Sequence, residues 1–274
     1  HEELTWNRNS LQYDQKIGQV NFSAMGNFTF ARNVIEDQDQ PDYIEKYMNR
    51  TGQARWQTFG YVSDGLFKDE ADIATSPDQS ALGEVRPGDI KYKDLNNDGV
   101  IDSKDVKAIG YTDVPEIVYG FGVSAQWKGF DVSVFFQGNA HVSFSINSSM
   151  VRGFTEPKMA ANNVFSDIYG NYWTESNTDA KYPRLTTTEA TNNNQSSDFW
   201  LVNGRYIRLK NAEFGYTFPK RLIQKMRLSQ LRVFVSGTNL LTFAPFKLWD
   251  PDLQTGASNY PNTRVANIGL NIGF

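Results

Sequence analysis

The chain has 274 residues, a formal net charge of −4 and no cysteine. Near-neutrality gives no electrostatic case for binding nucleic acid, and without thiols neither a disulfide framework nor a cysteine-ligated metal is available. Aromatic residues make up 14% of the chain and no run of about 18 apolar residues occurs, so the composition favours β structure and excludes a transmembrane helix. Membrane-spanning strands are not excluded, because a β-strand needs only about 9–11 residues to cross a membrane.

The first two predicted strands lie at the start of the chain. A strand is expected over residues 3–13 and a longer one over residues 17–32, with a tight turn at residues 13–16. In the second strand alternate residues are apolar, which is typical of a sheet with one apolar face. These residues are Phe22, Ala24, Phe28 and Phe30.

A hairpin is predicted over residues 117–127 and 130–138. The two-residue connection Lys128-Gly129 suits a primed turn, because such turns need positive φ angles. Trp127 and Phe130 flank the turn, where a membrane barrel carries its interfacial aromatic residues. The shared apolar face holds Phe121, Val123, Ala125, Trp127, Phe130, Val132, Val134 and Phe136.

Three further strands follow towards the end of the chain. In residues 204–217 the apolar parity slips between Leu209 and Ala212, which predicts a β-bulge near Lys210. The next strand alternates through Leu231, Val233 and Val235. The last strand spans residues 264–274; its apolar residues are Ala266, Ile268, Leu270, Ile272 and Phe274. An alternating strand that stops on Phe resembles the C-terminal signal of bacterial outer-membrane barrels.

Short and long connections alternate between these strands, and the long ones are polar. The long segments are residues 33–116, 139–203 and 243–263. Transmembrane barrels show this asymmetry, with short periplasmic turns and longer extracellular loops. The sequence therefore predicts an all-β fold in which residues 1–274 contribute about seven C-terminal strands to a transmembrane antiparallel β-barrel. Because bacterial barrels usually have an even number of strands, the chain is expected to be a fragment.

One segment has the spacing of a calcium loop. Asp94-Leu-Asn-Asn-Asp-Gly-Val-Ile-Asp-Ser-Lys-Asp105 matches an EF-hand-like pattern, with Gly99 at the sharp turn. The expected ligands are the side chains of Asp94, Asn96, Asp98, Asp102 and Asp105 and the carbonyl of Val100. Asp105 replaces the usual Glu and reaches less far, and Ile101 is expected to point into a local core. The alternative is a turn that its own side chains stabilise without an ion.

Other candidate residues have weaker functional readings. His141 has no Asp placed to orient it and no nucleophile beside it, so no catalytic site is expected. The loop aromatics Tyr169, Tyr172 and Trp173 are candidates for stacking on a substrate or for packing within loops. Three arginines are candidates for the barrel lumen, where charges normally pair with carboxylates: Arg205, Arg208 and Arg232.

Six stretches together carry a family resemblance. They are Gly26-Asn-Phe-Thr-Phe-Ala-Arg-Asn33, Gly60-Tyr-Val-Ser-Asp-Gly-Leu-Phe67, the segment 87–102 that includes the calcium-loop pattern, Trp173 followed by Tyr182-Pro-Arg-Leu185, Tyr206-Ile-Arg-Leu-Lys-Asn-Ala-Glu-Phe-Gly-Tyr-Thr-Phe-Pro-Lys220, and Ser236-Gly-Thr-Asn-Leu-Leu-Thr242 followed by Asp250-Pro251 and Phe274. In this order the chain resembles the C-terminal part of the SusC/RagA family of TonB-dependent transporters from Bacteroidetes outer membranes.

The resemblance implies a nutrient importer whose barrel has roughly 22 strands and a plugged lumen. The plug, the N-terminal strands and the segment that contacts TonB are then expected outside this chain. A SusD-like lipoprotein would cap the extracellular face, outer-membrane lipid would surround the barrel, and TonB would energise import of glycans or oligopeptides. Two alternatives remain at this stage: a passive porin with the same strand pattern, and a soluble calcium-binding β-sandwich adhesin.

Overall fold

The computed structural model describes residues 1–152, 154, 164–255 and 259–274, in which β-strands predominate. The strands are β1 (Glu2–Ile17), β2 (Val20–Ile35), β3 (Phe59–Gly60), β4 (Ser63–Leu66), β5 (Ile90–Tyr92), β6 (Lys107–Ala108), β7 (Ile117–Trp127), β8 (Phe130–Ala140), β9 (Ser143–Ser145), β10 (Leu201–Asn203), β11 (Tyr206–Thr217), β12 (Gln230–Phe243) and β13 (Val265–Gly273). The α-helices are α1 (Glu70–Thr75), α2 (Ser149–Arg152) and α3 (Lys220–Ile223), and short 3-10 turns occur in the connections. Across these ranges, no helix is both long and apolar enough to cross a membrane.

Seven strands form one antiparallel sheet in chain order, β1-β2-β7-β8-β11-β12-β13. They are the seven strands that the alternation predicts, so that expectation is confirmed. Within the described ranges β1 and β13 each pair on one side only, which leaves the sheet with two free edges. The chain thus forms an open sheet, and a closed barrel requires further strands.

The sheet has one apolar and one polar face. Val134 of β8 lies opposite Val123 of β7 and Ala212 of β11, and directly paired residues share a face. On the other face Ser133 lies opposite Ser124. The apolar face is open; its exposed members include Phe121, Val123, Trp127, Phe130, Val132, Phe214, Val233, Val235, Ile268, Leu270 and Ile272. An exposed apolar surface of this extent indicates contact with a partner or a membrane.

The predicted bulge in β11 is confirmed. The register shifts between Leu209 and Asn211 against both neighbouring strands. Leu209 lies opposite Phe136, and Ala212 lies opposite Val134, so the extra residue Lys210 keeps apolar side chains on one face. Without the bulge, one half of β11 would turn its apolar residues to the polar face.

The two tight turns differ in how well the sequence located them. Lys128 and Gly129 have φ angles of 47° and 91°, as a primed hairpin turn requires. The turn expected at residues 13–16 is wrong: β1 continues to Ile17, and the turn is Gly18-Gln19. Gly18 provides the positive φ of 61°, whereas the polar residues before it remain extended because β1 pairs with β2 as far as Ile17.

The three long connections, residues 36–116, 141–205 and 244–264, leave the same end of the sheet. They pack around a hydrophobic core that lies beyond the strands, and the small pairs β3–β6, β4–β5 and β9–β10 are formed within them. The buried core residues are Tyr61, Leu66, Ile90, Tyr92, Ile101, Phe144, Ile146, Val151, Ile168, Tyr182, Trp200 and Phe246. The described parts of the connections therefore form a folded unit at one end of the sheet.

A buried polar network joins the first connection to the second. Gln79 Nε2 donates to Asn192 Oδ1 (2.9 Å), and Asn193 Nδ2 donates to Asp89 Oδ1 (2.8 Å). The backbone N–H of Ile90 donates to Asn193 Oδ1 (2.8 Å). All five residues are buried, so these hydrogen bonds form away from water and fix the relative position of the two connections.

Candidate functional site

The calcium-loop segment lies in the first long connection and is closed by its own hydrogen bonds. Asp94 accepts from the backbone N–H groups of Asn97 (2.6 Å) and Gly99 (2.8 Å). Gly99 has a φ of 86°, which meets the need for a sharp turn at the sixth position. Asp98 accepts from Asn96 Nδ2 (2.9 Å), so the first three predicted ligands are neighbours.

The end of the segment is arranged differently from the expected ligand shell. Asp105 is fully buried, and its oxygens accept from the backbone N–H groups of Leu95 (2.7 Å) and Asp102 (2.9 Å). The Lys104 ammonium lies 3.2 Å from Asp98 and 3.6 Å from Asp102. Among the residues that the structure describes, no group of three or more His, Cys, Asp or Glu side chains is arranged to hold a metal ion.

The loop is firmly anchored to the folded connections. Ile101 is fully buried, as expected, and its N–H donates to the carbonyl of Asp78 (2.8 Å). Tyr47 donates its hydroxyl to the carbonyl of Lys104 (2.8 Å). Burial and the nearby carboxylates raise the pKa of Tyr47 to about 12. A hydrogen bond from Asn96 is the main cause that lowers the pKa of Asp98.

His141 lies at the root of the second connection and takes part in an ionic cluster. Its Nδ1 is 3.1 Å from Glu116 Oε2, and its ring stacks on Tyr111 with 4.6 Å between centroids. Glu116 accepts two hydrogen bonds from the Arg32 guanidinium, both 2.7 Å. The Arg32 hydrogen bond is the main cause that lowers the pKa of Glu116. The cluster joins β2 to the roots of two connections, which is a structural role.

The three candidate loop aromatics are not equally available to a ligand. Trp173 and Tyr172 pack against the hydrophobic core of the connections. Trp173 also covers Gly88, where a Cβ atom would lie 2.5 Å from the indole ring. Tyr169 is 75% exposed. Of these three side chains, only Tyr169 presents its ring to solvent.

Arg208 is buried and belongs to an ion cluster that the sequence did not identify. Its guanidinium pairs with Asp250 and Asp252, the latter at 2.9 Å, and only 2% of its side chain is exposed. Tyr206 donates its hydroxyl to Asp252. The carboxylates are at least 42 residues away in the chain, so no local spacing pattern links them to the arginine. The cluster attaches the third connection to β11.

Arg232 has carboxylate partners on the polar face of the sheet, as expected for a lumen arginine. Its guanidinium contacts Asp131 and Glu213, each at 2.5 Å. The three residues come from β12, β8 and β11, so the contacts bridge adjacent strands near the short turns. Arg205 differs from Arg208 and Arg232, because it lies just before β11 and its side chain is exposed.

Sequence comparison relates the chain to TonB-dependent receptors. TonB-dependent receptor P3 of Formosa agariphila is 30% identical over 290 residues, covering 95% of this chain and 28% of that protein. TonB-dependent receptor P26 of the same organism is 28% identical, covering 77% of this chain and 22% of that protein. The chain thus spans less than a third of the length of these curated relatives. No family model matches it.

Structural comparison relates the chain to a peptide importer. The RagAB peptide importer in the 'open-open' state matches with a TM-score of 0.71 and 21% identity, covering the whole of this chain and 29% of that one. A structure of the RagAB peptide transporter matches with the same TM-score and 22% identity, also over 29% of its chain. At this identity the likeness establishes the fold. Sequence and fold thus agree with the resemblance of the six stretches to the SusC/RagA family of TonB-dependent transporters of the bacterial outer membrane.

Proposed function

We propose that this chain forms part of the barrel wall of an active nutrient importer for glycans or oligopeptides. The sheet with one open apolar face and one polar face carries the proposal, because a barrel wall faces lipid on one side and a polar lumen on the other. The complete barrel would have roughly 22 strands. The remainder of the protein would provide the plug and the other strands. Those strands would pair with the free edges of β1 and β13.

The long connections would lie outside the cell and the short turns in the periplasm. All three long connections leave one end of the sheet, which is the asymmetry of outer-membrane barrels. At the opposite end Trp127 is paired with Phe130, and the Phe130 ring lies 4.5 Å from that of Tyr216. Such a cluster suits the membrane interface, where aromatic residues are enriched.

A SusD-like lipoprotein would bind the folded connections from outside, and TonB would act through the part of the protein that precedes these strands. The name of the RagAB importer supports a peptide as the substrate of that protein, whereas the names of the Formosa receptors specify no substrate. Glycans and oligopeptides therefore both remain substrate classes for this importer. Its relatives are receptors and importers, which supports transport over catalysis.

The passive porin and the adhesin make different predictions. A β-sandwich adhesin would bury its apolar sheet face against a second sheet, but in the described ranges this face has no such cover. A porin would share the strand pattern but would admit its substrate without energy. The energy requirement for uptake therefore distinguishes the importer from the porin.

The experiment uses the full-length protein in its source bacterium. Deleting its gene should abolish uptake of labelled oligopeptides or of labelled glycans, and complementation should restore it. A proton uncoupler should stop uptake by the complemented strain, because TonB-dependent transport needs the proton gradient. Uptake that persists with the uncoupler would establish the porin instead. Unchanged uptake of both substrate classes after deletion would contradict the import proposal.

We also propose that Ca²⁺ orders the loop between Asp94 and Asp105, with ligands from Asp94, Asn96, Asp98, Asp102 and Asp105 and the carbonyl of Val100. Support comes from the proximity of the first three side chains and the turn at Gly99. Binding would require Lys104 to leave Asp98 and Asp105 to release backbone N–H groups.

Calorimetric titration of the full-length protein with Ca²⁺ tests this site. The double variant Asp94→Asn with Asp98→Asn should lose a binding event that the wild type shows, because two hard carboxylate ligands are neutralised. The matched control Asp64→Asn changes an exposed carboxylate elsewhere in the same connection and should retain it. Identical titrations for the wild type and the double variant would favour a loop that is held by its own hydrogen bonds.

A further inference from the structure

A groove opens at the end of the sheet where the long connections begin. Residues of the apolar face form one wall of it, namely Tyr119, Ala140, Ile207 and Phe243, and its lining also includes Ala244, Pro245 and, from the other face, Asn139 and Tyr206. Ile207 lies directly opposite Phe243, and both Ile207 and Tyr119 lie opposite Gly138, so their side chains share the apolar face. Phe243 is 58% exposed, and the exposed Leu241 continues the apolar surface along β12.

Two basic side chains border this groove. Arg205 and Lys247 both line it, and both are exposed. In the portion of the chain that the structure describes, neither forms an ion pair with a carboxylate. Arg208 differs from Arg205 and Lys247, because it is buried and its charge is paired with those of Asp250 and Asp252. The groove therefore combines uncompensated positive charge with an open apolar wall.

The acidic side chain that lines the neighbouring cleft already has partners. Lys247 also borders a cleft that contains Asp167. Asp167 accepts hydrogen bonds from Lys181 Nζ (2.7 Å) and from the hydroxyl of Tyr182 (2.8 Å). These hydrogen bonds, chiefly that from Lys181, lower the pKa of Asp167, so it is ionised and paired. Lys247 thus remains available for an anion outside the chain.

The groove also lies away from the two free edges of the sheet. Its strand residues belong to β7, β8, β11 and the end of β12, and the others lie in the adjoining connections; none belongs to β1 or β13. Strands that complete a barrel would attach at β1 and β13. They would extend the wall sideways and would leave the apolar face of these central strands open to the membrane.

We propose that Arg205 and Lys247 bind the phosphate of an outer-leaflet lipid whose acyl chains lie against the apolar face. A guanidinium can grip two phosphate oxygens while an ammonium adds a point charge, and the exposed wall provides the contact for the chains. Long basic side chains at the edge of an apolar band reach the headgroup level. The outer-leaflet location rests on the proposed orientation, in which the long connections face outward.

Native mass spectrometry of the full-length transporter in detergent tests the site, with phosphorylated lipid A as the probe. The wild type should retain bound lipid, and the variant Arg205→Gln with Lys247→Gln should bind it about 30-fold more weakly, as expected for the loss of two basic residues near an anionic lipid. The control Lys46→Gln with Lys93→Gln removes two exposed cations in the first connection and should bind like the wild type. Equal binding by all three proteins would overturn the proposal.

Two competing ligands identify what the site recognises. Dephosphorylated lipid A should bind the wild type as weakly as phosphorylated lipid A binds the double variant; equal affinity for both lipids would exclude phosphate recognition. Inorganic phosphate at the same concentration should not displace the lipid. If inorganic phosphate displaced the bound lipid as effectively as added lipid A does, the site would be one for free phosphate instead. Because binding is measured on purified protein without substrate or TonB, its outcome is separate from that of the uptake experiment.

Discussion

Arg208 links β11 to the last long connection through a buried guanidinium that pairs with two partly exposed carboxylates. The guanidinium donates to Thr242 Oγ1 (3.0 Å) on the neighbouring strand and to both Asp250 and Asp252. Removing one partner of a buried ion cluster leaves the others without compensation, which costs far more than losing an exposed pair. Arg208 therefore holds the segment around Asp250 and Asp252 against β11, in addition to the core contacts of Phe246.

Replacing Arg208 with Ala should destabilise the protein by about 2–3 kcal/mol, because two carboxylates lose their common cation but are exposed enough to be hydrated. Urea unfolding in micelles would measure the free energy, and limited proteolysis should show faster cleavage within residues 244–264. The matched change Arg205→Ala removes an exposed arginine three residues earlier and should cost no more than about 0.5 kcal/mol. Equal losses in the two variants would mean that the buried cluster has no special contribution.

Through Glu116, the stability of the contacts at the roots of two connections depends on pH. Its carboxylate has a lowered pKa in the folded protein, chiefly through the Arg32 hydrogen bonds. A carboxylate of this kind adds stability above its unfolded pKa of about 4.3 and loses that contribution as the pH falls through the lower folded value. The contribution is therefore present at neutral pH and disappears in acid.

Glu116→Gln should lower the midpoint of thermal unfolding at pH 7, and the difference from the wild type should close below about pH 4. Differential scanning fluorimetry of the detergent-solubilised protein across that range is the measurement. The exposed Glu175→Gln provides a control and should follow the wild-type curve throughout. A difference for Glu116→Gln that stays constant with pH would show that its loss acts through packing and not through charge.

Two glycine turns at the same end of the sheet differ in their surroundings. Both Gly18 and Gly129 have positive φ. A Cβ atom at Gly18 would meet nothing within 4 Å, whereas one at Gly129 would lie 2.5 Å from the carbonyl oxygen of Thr217. The backbone carbonyl of Thr217 cannot move aside as the end of a flexible side chain can. The turn of the β7–β8 hairpin is therefore fitted against the neighbouring strand β11.

Gly129→Ala should reduce folding more than Gly18→Ala does. The change at Gly18 adds only the strain of a positive φ, about 1 kcal/mol, whereas the change at Gly129 adds a steric clash. The fraction of heat-modifiable, folded protein after refolding into micelles would compare them. Equal folded fractions would indicate that β11 moves away from the turn without cost.

At the level of strands, the sequence was informative because alternation is a local property. Seven strands and the bulge at Lys210 followed from the parity of apolar residues. The first turn was misplaced, because the polar run from Tyr13 to Lys16 is compatible with a turn as well as with an exposed strand. Only the backbone reveals that Gly18 makes the reversal. Alternation thus locates strands better than it locates their ends.

For the molecule as a whole, the folded unit formed by the described parts of the long connections was not foreseen. Their buried residues have no helical or strand period, and the asparagines at positions 192 and 193 look like solvent-exposed loop residues. They are buried because their amides pair with Gln79 and Asp89, more than 100 residues away. Non-local hydrogen bonding of this kind leaves no spacing pattern in one sequence. The sequence did not predict the ion pairs of Arg208 for the same reason.

The two faces of the sheet allow a test of the membrane environment with neighbouring residues. Val134 lies on the apolar face, opposite Val123 and Ala212, and Ser133 lies on the polar face, opposite Ser124 and Glu213. In a barrel wall, Val134→Arg would place a charge in lipid at a cost of about 2–4 kcal/mol near the midplane. Ser133→Arg would place the same charge in the lumen, where Glu213 is a potential partner.

Val134→Arg should therefore reduce the amount of folded protein in the outer membrane several-fold, while Ser133→Arg should remain near the wild-type level. Heat modifiability of the full-length protein in isolated outer membranes measures the folded fraction, and an immunoblot of total protein corrects for expression. If the protein resided in water, the added charge at position 134 would be solvated and both variants would fold alike. The opposite order, with Ser133→Arg the more damaging change, would mean that the polar face and not the apolar face is turned to the lipid.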